Sequence, residues 1–324
     1  MSVNVTVLGA GVAGLAVAHE LSGRGASVRL VDPAGAPGPA ACSWWAGGML
    51  APFCEGATAE EPVVRLGQEA AGWWRAAGVE VTAAGTLVVV LGRDSAEIAR
   101  FARRTSGHDR LDRAGIAALE PDLADRFGHA LHFPGEAHIA PRAALATLVD
   151  ALRCRGVRIC DAPDTPLEGT VIDCRGLAAR DSLAGLRGVR GEMAILRMPD
   201  LALRRTVRLL HPRFPLYIVP RGDGVYMLGA TQIETAGRGP ATLRSVVELL
   251  NAAYALHPAF AEAEVLEIGA DARPAFADNL PRIVRKDGRI HVNGLFRHGF
   301  LLAPALARMT AELVLEGKIP ELCT

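Results

Sequence analysis

The sequence predicts an α/β protein, in which a Rossmann-like parallel layer that binds a dinucleotide carries an inserted, mainly antiparallel β-sheet domain. Three observations predict it. A short β-branched run, residues 3–8, leads directly into Gly9-Ala10-Gly11-Val12-Ala13-Gly14. A helical pattern and a second short apolar run ending at Asp32 follow, which completes a βαβ unit at the start of the chain. From Gly191 onward the texture changes to short strands separated by turn signals, Gly222-Asp223-Gly224 being the clearest.

Taken in order, residues 3–8 read as a buried parallel strand and residues 15–24 as a helix stopped by Gly25. Residues 27–31 read as the next strand. The Pro-, Gly- and Ala-rich stretch 34–41 reads as a loop, and Cys42-Ser43-Trp44-Trp45-Ala46-Gly47-Gly48-Met49-Leu50-Ala51-Pro52 continues it with an unusual mixture of tryptophan and small residues. Residues 86–91 form an apolar strand, and 94–104 and 113–119 form helices of an outer layer. Residues 141–155 form a helix with Pro141 at its start and Gly156 just past its end. Short strands follow at 157–160 and 170–174, then at 192–198, 216–220 and 225–229, a helix at 243–256, a strand at 290–293 and a last helix at 303–315. The nucleotide-binding domain is therefore expected to be discontinuous, 1–55, 141–185 and 265–324, with 56–140 and 186–264 forming the substrate domain.

A chain of 324 residues buries a sizeable core without metal or disulfide staples. Its 35 basic and 35 acidic residues leave no net charge, so nothing general attracts nucleic acid or an anionic membrane. None of the six cysteines forms a C-x-x-C pair or a zinc-spaced cluster, so free thiols in a reducing compartment are expected, and no metal. No Lys or Arg precedes the apolar start and no run of eighteen apolar residues occurs, so neither a secretory leader nor a membrane span is read and the expected location is the cytoplasm.

The glycine motif is weak alone and gains meaning from its setting between a strand and a helix, with an acid eighteen residues after Gly14. Gly9 allows the tight turn, Gly11 lets the backbone approach a pyrophosphate, and Gly14 lets helix pack on strand. The helix N-terminus offers free N–H groups to the phosphates, and Asp32 is placed to accept hydrogen bonds from a ribose. An acid at that point disfavours a 2′-phosphate. The motif itself leaves NAD and FAD both open.

With the 42–52 segment, Arg273-Pro274 and Arg297-His298-Gly299-Phe300-Leu301-Leu302-Ala303-Pro304 in view, the sequence resembles the D-amino-acid oxidase family of flavoproteins. Within it the chain is most similar to the glycine oxidases associated with thiamine biosynthesis, and the resemblance spans nearly the whole chain. The resemblance implies FAD, held non-covalently because no cysteine lies between Ala270 and Pro304. It implies cofactor contacts from Ser43, Gly47, Gly48, Met49, Gly176, Arg297, His298, Gly299, Phe300 and Leu301, besides Gly9, Gly11, Gly14 and Asp32. The sequence departs from the family at Asp173-Cys174-Arg175-Gly176, where many relatives have alanine-threonine-glycine.

The resemblance also implies that Arg273 and Tyr217 hold an amino-acid carboxylate over the flavin, with Arg297 a second arginine of the site. A planar guanidinium pairs both carboxylate oxygens at once. Tyr217 is alternatively a half-buried strand residue, and Arg273 an ordinary ion-pair arginine. At least one of Trp44 and Trp45 is expected to pack in the core. His298 reads as a satisfied local hydrogen-bonding group, and Gln232 stands where some glycine oxidases have an apolar residue. The implied activity is oxidation of a small amino acid, glycine first, by hydride transfer from the α carbon to flavin N5. Dioxygen is the second substrate, and an imino acid and hydrogen peroxide are the products. A dehydrogenase of a secondary amine or 2-hydroxy acid using another acceptor, and a non-catalytic FAD-binding module, are the alternatives. A homo-oligomer is compatible with the sequence.

Overall fold

The computed structural model describes residues 3–162, 167–211 and 216–324. Among these, a six-stranded sheet runs in the order Arg282–Lys286, Arg289–Asn293, Thr170–Asp173, Asn4–Leu8, Ser27–Val31, Arg158–Cys160. All neighbours are parallel except the first pair. Its strands come from both ends and the middle of the chain. The first helix, Val12–Gly23, is buried along most of its length, between the sheet, the C-terminal helix Gly299–Glu316 and helix Pro141–Cys154, which fits its largely apolar sequence. Leu15, Val17, Leu21, Leu30, Ile172, Leu302 and Leu306 belong to this core.

A second sheet of nine strands stands beside it, with Arg187–Arg197, Val225–Gly229, Leu216–Pro220 and Thr206–Leu210 as antiparallel neighbours at its centre. Thr206–Leu210 also pairs parallel with Thr86–Val90, a contact between distant parts of the chain that no local pattern announces. Helix Leu243–Leu256 packs its Leu249, Ala253 and Leu256 into the core of this sheet. Strand Glu264–Ala275 pairs along its length with Arg187–Arg197, so residues 265–275, expected with the nucleotide-binding layer, hydrogen-bond into the second sheet.

Other differences from expectation have simple causes. Asp109–Asp112 and Arg282–Lys286 are strands too polar to read as such. The last helix begins at Gly299, four residues early, and holds Pro304 inside it. Proline lacks the N–H that would bond the carbonyl four residues back, that of Phe300. The indole Nε1–H of Trp74 donates to that carbonyl at 2.9 Å, so the helix accepts the proline without an orphaned oxygen.

Candidate active site and cofactor cradle

A cavity of about 1200 Å³ is walled by both sheets. Every residue expected at the site lines it except Gly14. Gly14 serves packing instead, since a Cβ there would overlap the Gly9 carbonyl oxygen. Gly9 has φ +97°, and a Cβ on it would stand 2.8 Å from the Cys174 carbonyl oxygen, so turn and close approach both require glycine. A Cβ at Gly11 would meet nothing nearer than Ser43 Oγ at 3.6 Å, which leaves the space over the helix start open. Gly11 is the N-cap of Val12–Gly23 and no side chain caps that helix, so its first amides are free for an anion. Ser43 Oγ is buried in the cavity wall without a hydrogen-bond partner among the described residues. A pyrophosphate over this helix start fits the free amides, the open face of Gly11 and the waiting hydroxyl together.

Asp32 Oδ2 accepts from the Ala10 amide at 2.7 Å and Oδ1 from the Ala34 amide at 2.9 Å, which aims the carboxylate along the cavity edge where a ribose would lie. The atypical Arg175 forks onto buried Asp173 and onto Asp181, and Gly176 next to it has φ +58° and lines the cavity. Trp44 and Trp45 are both half-buried, with the Arg142 guanidinium 4.6 Å and 5.3 Å from their ring centroids, and neither belongs to a core cluster of the described residues, against the expectation that at least one packs in the core.

The other end of the cavity is built on the nine-stranded sheet. Arg208, Tyr217 and Gly229 are direct cross-strand partners and so share one face. Burial raises the Tyr217 hydroxyl pKa, which keeps it a proton donor at neutral pH. Arg273 stands on Glu264–Ala275, and its guanidinium makes one long hydrogen bond, Nη1 to the Thr231 carbonyl at 3.3 Å. Among the described residues no carboxylate lies within ion-pair distance of it. The nearby Asp271 is engaged by Arg238 at 2.6 Å. Burial pulls the Arg273 pKa below the usual arginine range. A cavity-lining guanidinium that no acid neutralises favours an anionic ligand.

Arg297 lines the same cavity, but its guanidinium is engaged by Glu55 at 2.7 Å and Thr58 at 2.6 Å. His298 is buried and its Nε2 lies 3.0 Å from the same Glu55 carboxylate. Arg208 approaches the other Glu55 oxygen at 3.1 Å. Burial alone would raise the Glu55 pKa, but Arg297, Arg208 and the His298 hydrogen bond outweigh it and hold the carboxyl well below its ordinary value. Glu55 and Arg208 are the two site residues that sequence reading missed. The signal available was a lone acid in the apolar stretch Pro52-Phe53-Cys54-Glu55, and an arginine alternating with Val207 and Leu209.

No helix among the described residues is long and apolar enough to cross a membrane. The profile of the family described as FAD dependent oxidoreductase (DAO) matches residues 4–313. A Rhizobium etli protein provisionally designated thiamine biosynthesis oxidoreductase ThiO is 54% identical over 316 residues, which cover 96% of each chain. The fold resembles the crystal structure of glycine oxidase from Geobacillus kaustophilus, with TM-score 0.81 and 23% identity over 99% of this chain and 97% of that one. It also resembles glycine oxidase from Bacillus cereus, with TM-score 0.82 and 22% identity over 98% and 96%. The chain has the fingerprint, the cradle and the family profile together, and it belongs to the DAO family of FAD-dependent oxidoreductases.

Proposed function

We propose that the enzyme oxidises a small amino acid, glycine first, to the imino acid, with dioxygen reduced to hydrogen peroxide, and that this reaction serves thiamine (thiazole) biosynthesis. The observation that carries the substrate class is Arg273, a cavity guanidinium with a donor fork and, among the described residues, no acid paired with it, beside the protonated Tyr217. The designation of the Rhizobium etli relative supports the pathway, and the likeness to glycine oxidases supports the choice of glycine.

When bound, FAD supplies the two-electron acceptor for the amine carbon. The chain's residues do the rest. Arg273 takes both carboxylate oxygens and Tyr217 donates a third hydrogen bond, which leaves the α carbon with one orientation in the cavity. The ionised Glu55 holds Arg297 and His298 at the start of helix Gly299–Glu316, whose N-terminal dipole favours negative charge on whatever lies before it. Non-covalent FAD fits the thiols at the cavity wall, which burial keeps protonated, Cys42 with its pKa raised to about 11 and Cys54 and Cys174 raised well above the ordinary thiol value. A protonated thiol is a poor nucleophile toward a flavin ring.

The test is anaerobic titration of the yellow enzyme with glycine, sarcosine, D-alanine, D-proline and 2-hydroxy acids, followed by turnover in air. Glycine should bleach the flavin, and peroxide should form one for one with substrate. Bleaching by amines without stoichiometric peroxide would assign a dehydrogenase. A flavin that no compound in the panel bleaches would overturn the catalytic reading.

A further inference from the structure

We infer that Gly191 and Gly229, with Gly47, are positioning residues that set the height of the two carboxylate anchors. The inference rests on the anchor role given to Arg273 and Tyr217 under the proposed function. Gly229 lies directly across from Tyr217 in the sheet, and the ring lies over the missing side chain. A Cβ at Gly229 would overlap the Tyr217 hydroxyl and stand 2.8 Å from ring carbon Cε2. A Cβ at Gly47 would stand 2.6 Å from the same Cε2, so the ring lies against two glycines. Strand pairing puts Arg273 opposite Val189 and Asp271 opposite Gly191, so Gly191 is the diagonal, same-face neighbour of Arg273. A Cβ on Gly191 would overlap the guanidinium, which lies down along the strand instead of standing up from it.

None of these three glycines has the positive φ that calls for glycine. Gly191 and Gly229 also sit in strands, where glycine weakens the sheet relative to alanine. Positive φ therefore does not explain them, whereas the side chain lying over each one does. The same pattern recurs at Gly269, whose Cβ would overlap the Trp45 ring at the cavity wall. The floor of the site is a set of glycines on adjacent strands, and large polar side chains lie flat across it. The atoms nearest an added Cβ at either floor position are side-chain atoms of Tyr217 or Arg273, so the fold should tolerate alanine there while the anchors move by roughly half an ångström to one and a half ångströms.

The experiment uses the FAD-loaded enzyme and glycolate, a glycine isostere without the amine, as the probe of carboxylate binding. Gly229→Ala and Gly191→Ala should keep stoichiometric FAD, weaken glycolate on the order of 10- to 100-fold, and raise KM for glycine far more than they lower kcat. In a Tyr217→Ala background Gly229→Ala should add less than about twofold, and likewise Gly191→Ala in an Arg273→Ala background, because the displaced group is already gone. Wild-type glycolate affinity in the glycine variants, or an undiminished effect in those backgrounds, would overturn the inference while leaving the anchors intact. Unchanged glycolate binding in Tyr217→Ala and Arg273→Ala themselves would instead overturn the anchor reading. If Gly229→Ala does not fold, the overlap account requires the double variant with Tyr217→Ala to fold and load FAD, and its failure to do so refutes the account.

Discussion

Arg273→Met should make the enzyme more stable and nearly blind to carboxylates. The guanidinium lies in the cavity wall, where among the described residues its hydrogen-bond partner is the Thr231 carbonyl at 3.3 Å, and Asp271 is already paired with Arg238. Among the described residues no acid offsets its burial, and burial lowers its pKa. Replacing an uncompensated charge in such a place with an apolar side chain of similar length is worth about 1–3 kcal/mol of stability. For a chain of this size that is a rise in Tm of roughly 1–5 °C. On the binding side, losing a charge-assisted bidentate pair costs about 2–5 kcal/mol, or roughly 30-fold to several thousand-fold in Kd for glycolate. The assay is thermal unfolding of FAD-loaded wild type and variant in carboxylate-free buffer, with glycolate titration of the flavin spectrum on the same preparations. Arg273→Lys should recover only part of the affinity, since a point charge does not reproduce the planar fork. A variant that melts several degrees below wild type, or that binds glycolate normally, would refute the reasoning: the first would mean that Arg273 is a structural cation, the second that the carboxylate sits elsewhere.

Three further outcomes are expected. Glu55→Gln should lose about 3–5 kcal/mol at neutral pH in urea unfolding, because Arg208 and Arg297 keep their charge without a carboxylate. The Glu55 pKa is depressed in the fold, so its contribution is complete above the unfolded carboxylate value and disappears as pH falls through the lower folded one; the gap between wild type and variant should narrow only in strong acid. Gly11→Val should fold but emerge colourless, since its side chain points into the open cradle where a phosphate must lie, and stoichiometric FAD in the purified variant would contradict the cradle. His138 is buried, and burial with the nearby Arg221 lowers its pKa to about 4, so the fold keeps it neutral while the unfolded chain protonates it near 6.5. Stability should therefore fall by on the order of 3 kcal/mol from this group as pH drops from 6.5 to about 4, and His138→Gln should flatten that slope in denaturant titrations across the range.

Local rules carried the sequence reading where one stretch of chain does the whole job. The turn at Gly9, the opening at Gly11, the packing contact at Gly14 and the acid at Asp32 all lie within one βαβ unit, so spacing and residue type sufficed to place them. The helix 141–155 was equally legible, observed as Pro141–Cys154, because Pro141 and the residues after Cys154 punctuate it locally. Tyr217, Arg273 and Arg297 could be named from resemblance, but their arrangement could not. Cross-strand register set it: Tyr217 faces Gly229 and Arg208, and Arg273 lies diagonally over Gly191, through pairings between residues that are distant in sequence. The same holds for Glu55, an unremarked acid until folding brings Arg208 from one sheet and Arg297 and His298 from the start of the last helix around it. Sequence alone determined the dinucleotide-binding unit, the α/β class and the chemical types at the site. Tertiary structure decided which charges are paired, that Arg273 faces the cavity with no carboxylate within ion-pair distance among the described residues, and how Tyr217 and Arg273 lie over glycines, because burial and strand register are properties of the assembled fold.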